Sequence, residues 1–290
     1  MIPIAQITQW RLKAPWPDSI QVEQDLILSR MLVEIFSDPY LNGELAFRGG
    51  TALHKLFLSP AARYSEDIDL VRTTNGPIKP LIDALRARLE PWLGKPRTVQ
   101  TNRSFKLFFN FNPETSPSSK QNIKVEINIL ETFSILKRSQ VQFSVESDWF
   151  TGSAQINIFQ LEELLATKLR ALYQRSKGRD VFDLWLAINH LHIDIKKVVA
   201  IFEDYMKREK ATITRTLFEK NLELKLNDSS FLADITALLS PELARSHSSP
   251  LLTENGNSIL TNDNDELTTE GWNLVEAANK IKSKILVHLT

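Results

Sequence analysis

The spacing of apolar residues changes once along the chain, near residue 158, and this change constrains the fold more than any other feature. Before it, short apolar runs are typical of strands, and they occupy 45–47, 64–71, 105–111, 124–130 and 141–145. Helical spacing accompanies them over 18–36, 52–58 and 78–93. After it, the periodic segments are helical and cover 161–174, 180–191, 195–207, 213–224 and 272–289. The sequence therefore predicts an α/β (α+β) core with a mixed sheet over 1–155, followed by a helical C-terminal domain over 156–290.

Three segments have a composition that disfavours long regular elements. The first 18 residues contain three Pro and two Trp, which predicts an extended arm before the first helix. Asp38-Pro39 and Asn42-Gly43 predict a turn after that helix. Residues 246–269 are rich in Ser, Asn, Asp and Thr, which predicts a flexible loop.

Composition excludes several classes of function. In this chain of 290 residues, 35 Lys and Arg balance 35 Asp and Glu, which argues against a basic nucleic-acid coat protein. The absence of cysteine excludes a thiol nucleophile and a Cys-ligated zinc site, and it fits a cytoplasmic protein. The sequence contains no run of roughly 18 apolar residues and no apolar leader segment, so we predict neither a membrane span nor a signal peptide.

Two glycines stand between a predicted strand and a predicted helix. Gly49 and Gly50 lack a Cβ, so the backbone there can approach a ligand closely. A helix beginning at Thr51 would direct its free N–H groups and positive dipole end towards an anion. The pattern is neither the Rossmann nor the Walker motif, and an ordinary strand–helix turn is the alternative interpretation.

Two carboxylates follow on the next predicted strand. Asp67 and Asp69 share one face, with Cα atoms roughly 6.5–7 Å apart, while Ile68 and Leu70 share the other. Carboxylates this close repel each other unless a cation lies between them, and oxygen ligands without His or Cys suit Mg²⁺. Glu126, on a later strand, is the candidate third carboxylate. The alternatives are a solvated strand edge for the Asp pair and a surface position for Glu126.

A basic segment lies in the helical half. Lys168 and Arg175 continue the apolar stripe of the helix predicted over 161–174. Charged side chains are uncommon on such a stripe, so their presence calls for an explanation. Either their stems snorkel to the surface or they line a cleft for a polyphosphate. Asp180 and Asp183 begin a helix that is apolar nearly all round, so they must be paired, with Lys168, Arg175 or Arg179 as candidate partners. The basic segment is therefore an ion-pair network or a set of phosphate contacts.

Taken together, these motifs resemble those of a known family. The segments Gly-Gly-Thr-Ala-Leu and Arg-x-Ser-x-Asp-Ile-Asp-Leu precede Lys-x-x-Ala-Leu-x-x-Arg-x-x-x-Arg-Asp-x-x-Asp-Leu. In this order they are similar to the motifs of the AbiEii/AbiGii nucleotidyltransferase toxins, which include the MenT-type toxins and belong to the DNA polymerase β-like superfamily. The resemblance implies a nucleotidyltransferase core, a helical domain and a nucleotide bound in the cleft between them. It also implies a toxin that is neutralised by an AbiEi-like antitoxin, and some members of the family transfer nucleotides to tRNA 3′ ends.

The resemblance, with the strand alternation above, defines the predicted site. The predicted catalytic residues are Asp67, Asp69, Lys168, Asp180 and Glu126. The predicted nucleotide-binding residues are Gly49, Gly50, Thr51, Arg63, Ser65, Lys168, Arg175 and Arg179. The predicted metal ligands are Asp67, Asp69 and Glu126. Asp180 is the alternative that could take over part of the function of Glu126 as the third carboxylate.

The predicted reaction is the transfer of NMP from an NTP to an acceptor, with Mg²⁺ or Mn²⁺ as the metal. The acceptor favoured by the resemblance is the tRNA 3′ end, which would block translation. A protein or small-molecule acceptor is the alternative, and a degenerate module that binds a nucleotide or an antitoxin is a third.

Overall fold

A seven-stranded mixed sheet forms the centre of the N-terminal half in the computed structural model, which describes residues 2–58, 61–239 and 272–290. The strands are β1 (Leu45–Arg48), β2 (Asp67–Arg72), β3 (Arg97–Gln100), β4 (Ser104–Phe111), β5 (Gln121–Asn128), β6 (Ser139–Glu146) and β7 (Thr151–Ile158). Their order is β3-β4-β5-β2-β1-β7-β6. The predicted mixed sheet is confirmed. The loop predicted over 246–269 lies outside the described residues.

The centre of the sheet brings together strands that are distant in sequence. Strand β2 is antiparallel to β1 and parallel to β5, and β1 is parallel to β7. Antiparallel pairs complete both sides, with β3 beside β4, β4 beside β5 and β6 beside β7. Strand β2 therefore lies between β1 and β5, which positions the residues of three sequence motifs side by side.

Among the described residues of the N-terminal half, five helices accompany the sheet. They are α1 (Ile4–Trp10), α2 (Ser19–Phe36), α3 (Pro39–Glu44), α4 (Gly49–Leu56) and α5 (Lys79–Leu93). The expected extended arm was wrong for α1, because Ile7 and Trp10 are buried against the core and the indole of Trp10 donates a hydrogen bond to Asp25 on α2. The turn expected after α2 is the short helix α3, whose first N–H groups are capped by Asp38.

The described residues of the C-terminal half fold mainly into helices, as predicted. Its helices are α6 (Leu161–Gln174), α7 (Gly178–His190), α8 (Ile195–Arg208), α9 (Arg215–Leu226), α10 (Ser229–Ala233) and α11 (Leu274–Lys284). Their buried apolar side chains form one hydrophobic cluster, and the sheet with α1–α3 and α5 forms another. Helix α4 contributes Ala52 to the sheet cluster and Leu53 to the helical cluster, so its N-terminus lies where the two halves meet.

Two strands were not predicted from the sequence. Strand β3 is a short edge strand with mostly exposed residues, so it carries little apolar signal. In β7, Ala154, Ile156 and Ile158 alternate with Gln155 and Asn157, so the strand pattern is present there and could have been recognised. The expected domain boundary at residues 155 and 156 lies inside β7, and the division into two domains stays a prediction. Among the described residues, no helix combines the length and the apolar character needed to cross a membrane.

Candidate active site

Asp67 and Asp69 lie on the face of β2 that is directed away from the sheet's apolar core. Ile68 and Leu70, which alternate with them, are buried, while both carboxylates are partly exposed. The parallel register places Asp67 beside Lys124 and Asp69 beside Glu126 on β5. The prediction that Glu126 lies on a strand neighbouring the Asp pair is therefore confirmed by the sheet.

The two glycines make room for charged side chains. Gly49 has φ +83°, and a Cβ at this position would lie 2.5 Å from Oδ2 of Asp69. A Cβ on Gly50 would overlap the guanidinium of Arg63. Helix α4 begins at Gly49 itself, two residues earlier than expected, with Arg48 as its N-cap and no side-chain hydrogen bond at the cap. The diglycine therefore lets the start of the helix come against Asp69 and Arg63.

Thr51 and Ser65 join α4 to the start of β2. The hydroxyl of Thr51 is buried and donates to the carbonyl of Asp67 at 2.5 Å. It also shares a hydrogen bond of 2.7 Å with the hydroxyl of Ser65. The Thr51 side chain thus fixes the backbone beside Asp67, and the predicted contact of its backbone N–H with a ligand stays a prediction.

A lysine lies between two of the predicted metal ligands. Nζ of Lys124 is 2.9 Å from Oδ2 of Asp67 and 3.2 Å from Oε2 of Glu126. Lys106 binds the other oxygen of Glu126 at 3.2 Å. Burial raises the pKa of Asp67 to about 6, although Lys124 opposes the shift. Burial acts in the same direction on Glu126, but the Ser104 hydroxyl and Lys124 lower its pKa overall.

Two buried aspartates of α7 bind the cations of the basic segment. Asp183 accepts from Nε and Nη2 of Arg63 at 2.6 and 2.7 Å, and Lys168 lies 2.8 Å from it. Asp180 accepts from Lys168 at 3.1 Å and from Nε of Arg175 at 2.8 Å. Burial favours the neutral acids, but these cations lower both pKa values, and that of Asp183 falls well below its usual range. Both aspartates are therefore ionised and paired, as a buried charge requires.

His54 completes this buried cluster. Its Nε2 lies 2.9 Å from Oδ1 of Asp183. Burial and the charge of Arg63 lower the pKa of His54 to about 4, so the ring is neutral near pH 7. Because an ionised carboxylate can only accept, Nε2 carries the proton and donates a hydrogen bond to Asp183.

The position of Asp180 differs from the catalytic role predicted for it, whereas Arg63 lies at the predicted site. Asp180 is fully buried behind Lys168 and Arg175 and lines neither cavity at the site, so it positions these cations and has no direct path to a nucleophile. The guanidinium of Arg63 is held by Asp183 beneath Gly50, and Arg63 also lines the smaller of the two cavities at the site, so its predicted role in nucleotide binding stays a prediction. The pairing of Asp180 with Lys168 and Arg175 agrees with the candidate partners named from the sequence, whereas the pairing of Arg63 with Asp183 was not predicted.

The basic segment is an ion-pair network. Each of its five cations lies within 4.0 Å of a carboxylate; these cations are Lys168, Arg170, Arg175, Lys177 and Arg179. Of the three candidate partners of the buried aspartates, Lys168 and Arg175 pair with them, while Arg179 approaches Asp234 instead. Lys168, Arg175 and Arg179 nevertheless line a cavity, so the network and phosphate contacts are compatible.

Two cavities meet at Asp69, Glu126, Lys168 and Arg175. The smaller, of about 170 Å³, is also lined by Gly50, Ser65, Asp67, Lys124 and Arg179. The larger, of about 420 Å³, is also lined by Arg48, Gly49, Arg103, Asn128, Arg170 and Gln174. Acidic groups from the sheet therefore face cations from α6 across a continuous cleft.

The donor set suits a hard divalent cation. Asp69 and Glu126 line both cavities and Asp67 lines the smaller one, and Mg²⁺ prefers such carboxylate ligands together with phosphate oxygens and water. In the described part of the chain, however, no three His, Cys, Asp or Glu side chains converge closely enough to hold a metal. Lys124 lies between Asp67 and Glu126 and separates them, so the predicted triad is brought to one place but is not assembled.

Sequence reasoning missed three residues of the site. Lys124 shares the strand face of Glu126 two residues away, so alternation could have identified it. His54 follows the glycine motif on α4, and no local signal marks it as a partner of Asp183. Arg48 lines the larger cavity and lies opposite Asp69 in the sheet, a consequence of strand pairing alone.

Solved structures with a similar fold include two that are described as nucleotidyltransferases. A protein from H. pylori described as a nucleotidyltransferase is similar with a TM-score of 0.52, at 15% identity, over 93% of this chain and 95% of that chain. The nucleotidyltransferase toxin MenT4 of Mycobacterium tuberculosis is similar with a TM-score of 0.54, at 16% identity, over 83% of this chain and 84% of that chain. At sequence identities this low, the similarity to these two structures establishes a shared fold only.

The family follows from the sequence match. Residues 30–273 match the model of the AbiEii nucleotidyl transferase toxins of type IV toxin–antitoxin systems, and the chain belongs to this family. None of the curated proteins matches it significantly. Family membership establishes an NTP-using nucleotidyltransferase with an antitoxin as partner, and it confirms the resemblance described above.

Proposed function

We propose that this chain transfers an NMP group from an NTP to the 3′-hydroxyl of a tRNA in a reaction that depends on Mg²⁺ or Mn²⁺. The observation that carries the proposal is the placement of Asp67, Asp69 and Glu126 on one face of the sheet, opposite Lys168 and Arg175 of the helical half. This arrangement sets carboxylates for a divalent cation against cations for a polyphosphate.

The triphosphate is assigned to the smaller cavity. Lys124, Lys168, Arg175 and Arg179 line it, and it lies beside the start of α4 at Gly50. Ion pairs and free helix N–H groups are the features that bind phosphate in proteins. The ammonium of Lys168 is held in place by Asp180 and Asp183, so it is positioned before the nucleotide arrives.

The acceptor end is assigned to the larger cavity. Its volume of about 420 Å³ admits a terminal nucleotide, and Arg48, Arg103 and Asn128 supply polar contacts there. Because the two cavities share Asp69 and Glu126, an acceptor hydroxyl would meet the α-phosphorus at these carboxylates. We assign to Glu126 the positioning of that hydroxyl.

In the reaction, the acceptor oxygen forms a bond to the α-phosphorus, and the bond between that phosphorus and the bridging oxygen of the β-phosphate breaks. Pyrophosphate leaves, and the hydroxyl proton passes to a carboxylate or to water. A divalent cation bound by Asp67, Asp69 and Glu126 would stabilise the negative charge on the phosphoryl oxygens. Lys168 and Arg175 are positioned to balance the charge that develops on pyrophosphate.

The biological setting proposed is a cytoplasmic toxin with an AbiEi-like antitoxin. Support comes from the family, which is a type IV toxin–antitoxin family. Modified tRNA ends would stop translation until the antitoxin acts, and a role in phage defence is proposed on the same ground.

The test is incubation of the purified protein with each α-³²P-labelled NTP, Mg²⁺ and total tRNA. We expect label on tRNA from one preferred NTP, no label with EDTA, and none from the Asp69→Asn variant. Asp83→Asn, at an exposed ion pair on α5, is the matched control and is expected to label normally. Normal labelling by Asp69→Asn would refute the mechanism.

The same experiment separates the alternatives. Label that appears on a protein band from whole-cell lysate, and not on tRNA, would show a protein acceptor. If equilibrium binding detects no metal-dependent NTP affinity, the chain is a degenerate binding module.

A further inference from the structure

Lys124 occupies the place between the carboxylates that the proposed function assigns to a metal. Strand β5 runs parallel to β2 and sets Lys124 directly beside Asp67, two residues before Glu126. The ammonium then contacts Oδ2 of Asp67 at 2.9 Å and Oε2 of Glu126 at 3.2 Å. One cation thus joins two acids that belong to neighbouring strands.

The two acids depend on this lysine to different degrees. Glu126 has a second cation, because Lys106 binds its other oxygen at 3.2 Å. For Asp67, Lys124 is the sole cation within ion-pair distance in the part of the chain that the structure describes. Loss of the Lys124 contact would therefore leave the Asp67 carboxylate without a counter-charge.

A divalent cation and the ammonium compete for these carboxylates. Both need direct contact with Asp67 and Glu126, and at such short range their positive charges repel each other. Lys124 has a flexible four-carbon stem, and its side chain is 24% exposed, so it is able to move towards the cavity. The phosphates of a bound nucleotide would offer the displaced ammonium a new partner in the same cavity.

We propose that Lys124 is an internal competitor of the catalytic metal, so that the divalent cation binds weakly to the free protein and tightly only together with the nucleotide. The proposal rests on the proposed function, because it takes Asp67 and Glu126 as metal ligands. It assigns Lys124 a regulatory role: the lysine neutralises the acids in the resting protein and moves to the phosphates when substrate enters. The order of binding is thereby set by one side chain.

The experiment measures Mn²⁺ binding by electron paramagnetic resonance on the full chain, with and without an α,β-methylene NTP analogue that cannot release pyrophosphate. Three variants are compared with the wild type. Lys124→Met removes the competing charge, Lys124→Arg keeps it, and Lys106→Met removes the same charge from a residue that contacts Glu126 alone. Lys106 and Lys124 have similar exposure, at 29% and 24%, so the control is matched.

Without nucleotide, we expect Lys124→Met to bind Mn²⁺ at least about tenfold more tightly than the wild type. A factor of this size is typical when one binding event changes the affinity of another. Lys124→Arg should bind as weakly as the wild type, and Lys106→Met should change affinity by less than about threefold. The analogue should tighten Mn²⁺ binding strongly in the wild type and much less in Lys124→Met. Thermal denaturation of each variant verifies that the fold is retained.

Equal or weaker Mn²⁺ binding by Lys124→Met, or an equal effect of the analogue on both proteins, would overturn the competition. If tRNA labelling by the wild type persists and is lost in Asp69→Asn, the proposed function survives that result. If neither the wild type nor any variant binds Mn²⁺ even with the analogue, the metal assignment itself fails, and the role of Lys124 fails with it.

Discussion

The carboxylate of Asp69 packs against Gly49 so closely that a Cβ on residue 49 would lie 2.5 Å from Oδ2. The contact joins the first residue of α4 to the second acid of β2, and the paired strands β1 and β2 hold it in register. The glycine motif and the acidic motif therefore pack against each other and belong to the same site.

Gly49→Ala is expected to abolish nucleotide transfer and to destabilise the fold. Its φ of +83° costs an L-residue about 1–2 kcal/mol, and the Cβ would also displace Asp69. Labelling assays and urea denaturation measure the two effects. Gly43→Ala is the control, because open space surrounds that position on α3 and φ there is not positive. Wild-type transfer by Gly49→Ala would contradict the placement of Asp69 in the site.

Asp183→Asn is expected to lower the free energy of unfolding by about 3 kcal/mol, because it leaves Arg63 and Lys168 buried without their full counter-charge. Transfer should also fall, since Lys168 loses one of the two acids that hold it. The comparison is Asp204→Asn, at an exposed ion pair on α8, where a change below about 0.5 kcal/mol is expected. Equal effects of the two substitutions in urea denaturation would show that the buried cluster does not contribute to stability.

His54 is expected to make stability depend on pH. Its pKa is lowered from 6.5 to about 4 in the folded protein, so the unfolded chain binds the extra proton as the pH falls through this window. The contribution to stability is therefore complete above about pH 6.5 and is lost towards pH 4.

The measurement is the free energy of unfolding of the wild type minus that of His54→Gln. It should fall by on the order of 2 kcal/mol between pH 7 and pH 5. Taking the difference removes other titrating groups, including Asp67, whose raised pKa of about 6 has the opposite effect on stability. A difference that stays constant with pH would mean that His54 is not buried as a neutral ring.

The Glu126→Gln variant tests whether Glu126 binds the metal or only pairs with Lys106 and Lys124. If Glu126 binds the metal, as proposed, transfer should fall at least about a hundredfold and should need more Mg²⁺, since a neutral amide is a weaker ligand. The measurement is labelling rate against Mg²⁺ concentration. Glu146→Gln, at the exposed end of β6, is expected to behave as the wild type. If the labelling rate falls by less than about threefold, Glu126 is not a metal ligand and serves only to pair with Lys106 and Lys124.

Much of the local structure was predictable from spacing alone. Helix α6 has the predicted bounds, and the alternation around Ile68 and Leu70 placed Asp67 and Asp69 on one partly exposed face. These predictions succeed because the direction of a side chain relative to its own element depends on the local backbone repeat. For the same reason, burial of Asp180 and Asp183 was predictable from the apolar helix around them.

The partners of these side chains were decided by the tertiary structure. Arg63 binds Asp183 across 120 residues of sequence, and Lys124 meets Asp67 because β5 joins the sheet parallel to β2. Strand order depends on how all elements pack together, and the alternation within one strand does not determine which strands become its neighbours. The sequence by itself thus determined which faces carry charge and which residues need a counter-ion. The tertiary structure decided which cation pairs with which carboxylate. It thereby placed Lys124 between two of the carboxylates that are assigned to the metal.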